Sequence, residues 1–227
     1  MRLALAEKNL DFESRVIDLA SGEHITEWYL EMNPNGVVPT LSHNDNVIID
    51  SSVICEYLEE CFAETPLAPN EPVGRARMRA WMRYFEEVPT SAVRVPSFNM
   101  FFVPHFRNIP EQVLKAQADK RPLRKHFYRE MGNTGFSKER VAESLDRLRS
   151  CLVRVDSALK DNGPWILGDQ FTIADIVLIP SVVRMIDAQL EDQWADLPHI
   201  DMWLKAVMAR PSFSQAFYEG TRLTANA

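Results

Sequence analysis

The stretch AETPLAPNEPV, Ala63–Val73, divides this chain into two halves of different architecture. Pro66, Pro69 and Pro72 each lack a backbone N–H and have a fixed φ, so neither a helix nor a ladder runs through all three. Before it, the apolar pattern changes from short strand-like runs to a helix. After it, the pattern has only the helical period. The reading is an α/β unit over residues 1–62, a linker over 63–73 and an all-helical unit over 74–227.

In the first half, RLALAEKN reads as the tail of a helix, with Leu3, Leu5 and Ala6 apolar. FESRVIDL reads as a short strand that buries Phe12, Val16 and Ile17, and ITEWYLEMN as a short helix. Thr40–Ser42 and Val47–Ile49 form a hairpin around HNDN, whose residues tolerate the left-handed region. In SSVICEYLEECF, Val53, Ile54, Tyr57, Leu58 and Cys61 share one helical face. In the second half, Val141, Leu145, Leu148, Leu152, Val155 and Leu159 mark one long amphipathic helix. Segments 173–187, 199–208 and 212–218 read as further helices.

Composition excludes several functions. The chain has 227 residues, 46% hydrophobic and 25% charged, with formal charge −7. An acidic chain is a poor partner for nucleic acid or anionic membranes, which need clustered Lys and Arg. Arg75, Arg77, Arg79 and Arg83 read as a solvated helix face. Cys55, Cys61 and Cys151 have no metal or redox spacing, so packing in a reducing compartment is the expectation for them. No apolar run is long enough to span a bilayer, and MRLALAEKNLDFE turns charged too early for a signal peptide. The expected location is the cytoplasm.

Three motifs bear on chemistry or folding. In NPNGVVPTL, Pro39 stands just before a strand and so belongs at a strand start or edge. Trans is the usual state of such a bond, cis occurring in about 5–6% of X–Pro bonds; a cis bond would leave the backbone of Val38 facing outward. Asp50-Ser51 opens a helix, where free N–H groups and the helix dipole can hold a carboxylate, or where Asp50 is simply an N-cap. In GDQFTIADI, Thr172 and Asp175 have capping-box spacing, with Phe171 and Ile176 placed for a hydrophobic staple. That motif serves folding.

Taken together, RLALAEKNLDFE, GEH followed by NPNGVVPTL, IIDSSVICEYLEE, WILGDQFTIADI and LPHIDMWLKAVMARPSF resemble the cytosolic glutathione transferases, in family order and over nearly the whole chain. GEH…NPNG and YREMGNTGFSKER are more similar to bacterial β-etherase-like and plant phi-type members than to mammalian classes. The resemblance implies a thioredoxin-like first domain, a helical second domain and a homodimer formed through the Arg75–Arg83 helix and the first domain. It implies a cis Val38–Pro39 bond, with the Val38 backbone pairing with the cysteinyl part of glutathione. It also implies that Asp50 and Ser51 hold the γ-glutamyl end, and that His24 contacts the glycyl carboxylate. Asp50 departs from the family's more frequent Glu, and Val37 from a frequent polar contact.

Glutathione is the implied co-substrate and a small hydrophobic electrophile its partner; no metal is implied. The family's activating Ser, Cys or Tyr lies before the first helix and outside these residues, so the catalytic residue is unknown. A misassigned start, a trimmed chain or lost activity would each account for that. The alternative reading is a non-catalytic binding protein of the same fold. Phe98, Met100, Phe101 and Phe102 are expected either to wall the electrophile site or to be core.

Overall fold

A computed structural model describes residues 1–223. Helix α1 (Arg2–Glu7) is followed by an extended stretch, a 3-10 turn at Glu23–Ile25 and α2 (Glu27–Met32). Strands β1 (Thr40–His43) and β2 (Asn46–Ile49) form an antiparallel hairpin, and α3 (Ser51–Cys61) follows. Asn44 and Asp45 both have positive φ, the conformation that a two-residue hairpin turn matching strand twist demands.

FESRVIDL is not a strand. Among the described residues β1 and β2 pair only with each other, so this stretch has no ladder partner. Phe12 and Val16, expected to be buried, are exposed. On α3 the buried face is Ile54, Cys55 and Leu58; Val53 and Cys61 are exposed. The face is rotated from the expected one because α3 packs against both α1 and α11 (Ile173–Asp187), and the side between them is the one that carries Cys55.

The proline-dense connection is docked. Glu59 is buried on α3, and its two oxygens accept the N–H groups of Leu67 (2.9 Å) and Ala68 (3.2 Å). Lys8 pairs with the same carboxylate at 2.7 Å and donates to the carbonyls of Phe62 and Thr65. A buried ion pair is tolerable only when its remaining hydrogen-bonding groups are satisfied, and here the connection satisfies them.

The second half is helical: α4 (Pro72–Glu87), α5 (Pro89–Ala92), α6 (Arg94–Phe101), α7 (Val103–Phe106), α8 (Glu111–Asp119), α9 (Lys125–Met131), α10 (Lys138–Asn162), α11, α12 (Pro198–Met208) and α13 (Pro211–Ala216). One core joins α1, α3, α4, α10, α11 and α12. The stripe on α10 packs into it through Leu148, Leu152, Val155 and Leu159. A smaller cluster of Val95, Phe98, Val103, Met131 and Phe136 lies where α6 and α7 meet α9. No helix among the described residues is long and apolar enough to cross a membrane.

Helix α11 starts where the motif indicated. Thr172 is its N-cap, and the Thr172 N–H donates to Asp175 Oδ2 at 3.0 Å. Asp175 is fully buried, and its Oδ1 also accepts from the Ile166 N–H (3.2 Å) and Trp203 Nε1–H (2.9 Å). The box therefore ties three segments together. Burial pushes the Asp175 carboxyl up to about 6, against the pull of those hydrogen bonds.

Candidate glutathione and electrophile site

The loop before β1 is held from beneath. Tyr29 and Asn33 are buried, and both donate to the Val37 carbonyl, at 2.9 and 2.7 Å; both also reach Thr40 Oγ1. The next peptide bond, Val38–Pro39, is cis. Val38 is exposed, and among the described residues neither its N–H nor its C=O is hydrogen-bonded. An unpaired strand-like edge of this kind can recognise an extended peptide through its main chain.

The hairpin register sets what stands beside it. Thr40 is opposite Ile49, so the residues just outside the ladder, Pro39 and Asp50, face each other. Asp50 has φ 73 and ψ 129, a sparsely populated region for a non-glycine residue that costs on the order of 1–3 kcal/mol. Its Oδ1 accepts from the Ser52 N–H (2.9 Å), Ser52 Oγ–H (2.8 Å) and Val53 N–H (3.3 Å). Asp50 is thus an N-cap. Its Oδ2 takes no hydrogen bond among the described residues, and the exposed Ser51 leaves its hydroxyl and N–H unused.

Gly36 lets the helical half come close. It has φ +58, and a Cβ there would lie 3.1 Å from Pro122 Cδ. Pro122 belongs to the turn between α8 and α9, so its seat on Gly36 brings Arg121 and Arg124 beside the loop. The resulting cavity, about 60 Å³, is lined by Leu19, His24, Gly36, Val37, Val38, Arg121, Arg124 and Tyr128. It has room for a few waters or a small charged group. His24 is 7% exposed, and its Nδ1 has no hydrogen-bond partner. Burial, then the charges of Arg121 and Arg124, lower its pKa, so the imidazole is neutral at neutral pH.

The aromatic segment lies elsewhere. Phe98 and Phe101 are buried, Phe102 is half-buried and Met100 is exposed. None of the four lines the cavity beside Val38. Phe98 packs on Phe102, Phe127 and Tyr128 at centroid distances of 4.5, 4.9 and 5.9 Å. Phe98 and Phe101 are thus buried, the second of the two roles expected for this segment; Phe127 and Tyr128 of α9 pack on Phe98, and Arg121, Arg124 and Tyr128 line the cavity beside Val38. Those three residues were missed because KRPLRKHFYRE reads as an ordinary solvated charge run; the proline within it is the one local mark of a turn. Among the described residues no group of acidic, His or Cys side chains could hold a metal ion.

Comparison with known proteins identifies the family. Residues 1–61 match the family described as glutathione S-transferase, N-terminal domain, and residues 138–206 its C-terminal domain. Protein LigF of Sphingobium sp. strain SYK-6 is 33% identical over 96% of this chain and 88% of its own. A glutathione S-transferase of Hyoscyamus muticus is 25% identical over 93% of this chain and 88% of its own. The crystal structure of the β-etherase LigF superposes with a TM-score of 0.84 at 25% identity, covering 96% of this chain and 93% of that one. A Burkholderia graminis glutathione transferase with two glutathione molecules bound per subunit has the same fold, with a TM-score of 0.73 at 19% identity over 97% of this chain and 83% of that one. The first half is thioredoxin-like, the second is the helical domain that accompanies it, and the chain belongs to the glutathione S-transferase family.

Proposed function

We propose that this protein binds glutathione at the open end of the hairpin and uses its thiol to attack, or to cleave, a small hydrophobic electrophile. One observation carries the reading. The unpaired Val38 backbone and the half-used N-terminus of α3 stand side by side, because Pro39 faces Asp50 across the register. The Val38 N–H and C=O would pair with the cysteinyl residue of glutathione. Ser51, with the free N–H groups at the start of α3, would take the γ-glutamyl carboxylate, and Asp50 Oδ2 its ammonium. Neutral His24, which lines the same cavity as Val38, would donate to the glycyl carboxylate. The thiolate forms the new C–S bond as the electrophile's leaving group departs with the bonding pair. A β-etherase relative supports ether cleavage as one form of that step.

The proposal includes two units, residues 1–62 and 74–227, joined by 63–73. It also includes a cytoplasmic homodimer. Three unpaired cysteines suit a reducing compartment, and the exposed Arg77, Arg79 and Arg83 of α4 offer a polar face for a partner subunit. The test is calorimetric titration of the folded chain with glutathione, with light scattering at micromolar concentration. Saturable binding to a dimer is expected. A folded chain with no heat of binding contradicts the glutathione site, and a monomeric mass contradicts the dimer.

A further inference from the structure

The cavity beside Val38 has a one-sided lining. Arg121 and Arg124 line it from the turn between α8 and α9, His24 and residues 36–38 line it from the first half, and among the described residues no Asp or Glu does. Both arginines are half-buried, and among the described residues neither pairs with a carboxylate. Asp119, the acid just before them in the chain, is held by Lys125 at 3.2 Å and Arg129 at 2.6 Å. Arg121 Nη1 donates to the Gln117 carbonyl at 2.7 Å, and the guanidinium lies 4.2 Å from the centre of the Tyr128 ring. Its Nε is nevertheless buried without a partner, as is Nδ1 of His24. Among the described residues these are the only two buried side-chain nitrogens or oxygens left without a hydrogen bond, and both belong to the lining of this one cavity. A buried donor left unpaired is costly, so two in one place point to an acceptor that a ligand brings.

Size and register say which acceptor. The cavity, about 60 Å³, admits a carboxylate but not an aromatic ring, since a cavity that holds benzene measures about 150 Å³. Asp50 stands opposite Pro39 and, like Ser51, is not part of the lining, which instead takes in Gly36, Val37 and Val38. With the γ-glutamyl end at Asp50 and the cysteinyl residue on Val38, the glycyl residue is the one that continues toward the cavity. One residue of extended chain spans about 3.3–3.6 Å, so the glycyl carboxylate reaches a cavity that Val38 itself lines. His24 is the only polar side chain the first half contributes there, and the Val37 carbonyl is already taken by Tyr29 and Asn33. The positive charge comes from the helical half.

We propose that Arg121 and Arg124 receive the glycyl carboxylate of glutathione beside His24, so that the helical half selects a thiol peptide with a free C-terminal acid. This rests on the glutathione reading above and adds residues that set its specificity. A guanidinium matches a carboxylate in two parallel hydrogen bonds, and such charge-assisted pairs are the strong ones. Stacking on Tyr128 holds Arg121 before the ligand arrives, so little side-chain freedom is lost on binding. Pro122, between the two arginines and seated on Gly36, ties their turn to the loop that carries Val38.

The test is calorimetric titration of the parent, Arg121→Gln and Arg124→Gln with glutathione and with its glycyl ethyl ester, which keeps the thiol and the γ-glutamyl end. The parent should bind glutathione about tenfold tighter than the ester or more, from the usual worth of a charged hydrogen bond. In each variant the affinity for glutathione should fall toward that for the ester, while the ester binds as it does to the parent. A substitution that only loosens the fold weakens both ligands alike and keeps their ratio. Equal affinities in the parent, or the parent's ratio retained in either variant, overturn the proposal while leaving the glutathione site standing. Failure of the folded parent to bind either ligand overturns the two together.

Discussion

Two aspartates begin two helices in this chain, and their carboxylates are used differently. Asp175 is fully buried, and both of its oxygens are taken: Oδ1 by Ile166 and Trp203, Oδ2 by Thr172. Asp50 is exposed, bends the backbone into φ 73, and uses Oδ1 alone. A helix N-terminus whose donors and acceptors are all satisfied can only hold the fold together. One that keeps a carboxylate oxygen, a hydroxyl and N–H groups unsatisfied has something left for a ligand. By this criterion α11 belongs to folding, and α3 keeps the groups that the proposed glutathione site would use.

The contrast is most easily broken at Asp175. Asp175→Ala leaves three buried N–H donors unpaired, each worth about 1–3 kcal/mol, so a loss of about 3 kcal/mol or more is expected in urea unfolding. Glutathione affinity of the folded fraction should not change. An unfolding midpoint close to that of the parent would show that the network contributes nothing.

The pH dependence sharpens the same point. Burial raises the Asp175 carboxyl to about 6, whereas an unfolded Asp titrates near about 3.9. Between those values the folded chain keeps a proton that the unfolded chain has released. The contribution of Asp175 to stability is therefore complete below about pH 4 and falls as pH rises toward 6, by on the order of 2–3 kcal/mol at 1.36 kcal/mol per unit. Glu7 runs the other way. Burial alone would raise its pKa, but hydrogen bonds from Arg210 and Ser212 lower it, so its contribution is lost as acid protonates it. Subtracting the pH profile of Asp175→Asn from that of the parent isolates Asp175. A difference that rises with pH in this window contradicts the assignment.

The smallest effect is expected at Ser51. Its hydroxyl touches nothing within the chain, so Ser51→Ala should leave stability within about 0.5 kcal/mol. Glutathione binding should weaken by about 1 kcal/mol, one hydrogen bond's worth. A stability loss without an affinity loss would place Ser51 with the Asp175 kind of helix start.

What could be read from the sequence was what short range determines. Thr172 and Asp175 are three residues apart, so the box was visible in the letters. The hairpin around Asn44 and Asp45 fixed its own register, and with it the facing of Pro39 and Asp50. FESRVIDL failed because a strand needs a partner distant in sequence, and its alternation carries no information about one. The burial of Phe98 depends on α9 lying across it, a contact between segments some thirty residues apart along the chain. Cys61 was misjudged for a related reason: which face of α3 is buried depends on α1 and α11, and Cys61 lies on the open side.

The central claim is that Asp50 both caps α3 and keeps a charge for glutathione, and Asp50→Asn separates the two roles. Asparagine tolerates positive φ and can present the same capping oxygen, so the cap survives while the second oxygen and its charge are lost. The measurement is glutathione affinity by calorimetry beside the urea midpoint, in the parent and in Asp50→Asn. The account predicts a midpoint within about 0.5 kcal/mol of the parent and an affinity lower by about tenfold, the cost of one charge-assisted contact. Unchanged affinity, with or without a shift in the midpoint, would show that Asp50 is a cap and nothing more, and the distinction between the two helix starts would fall.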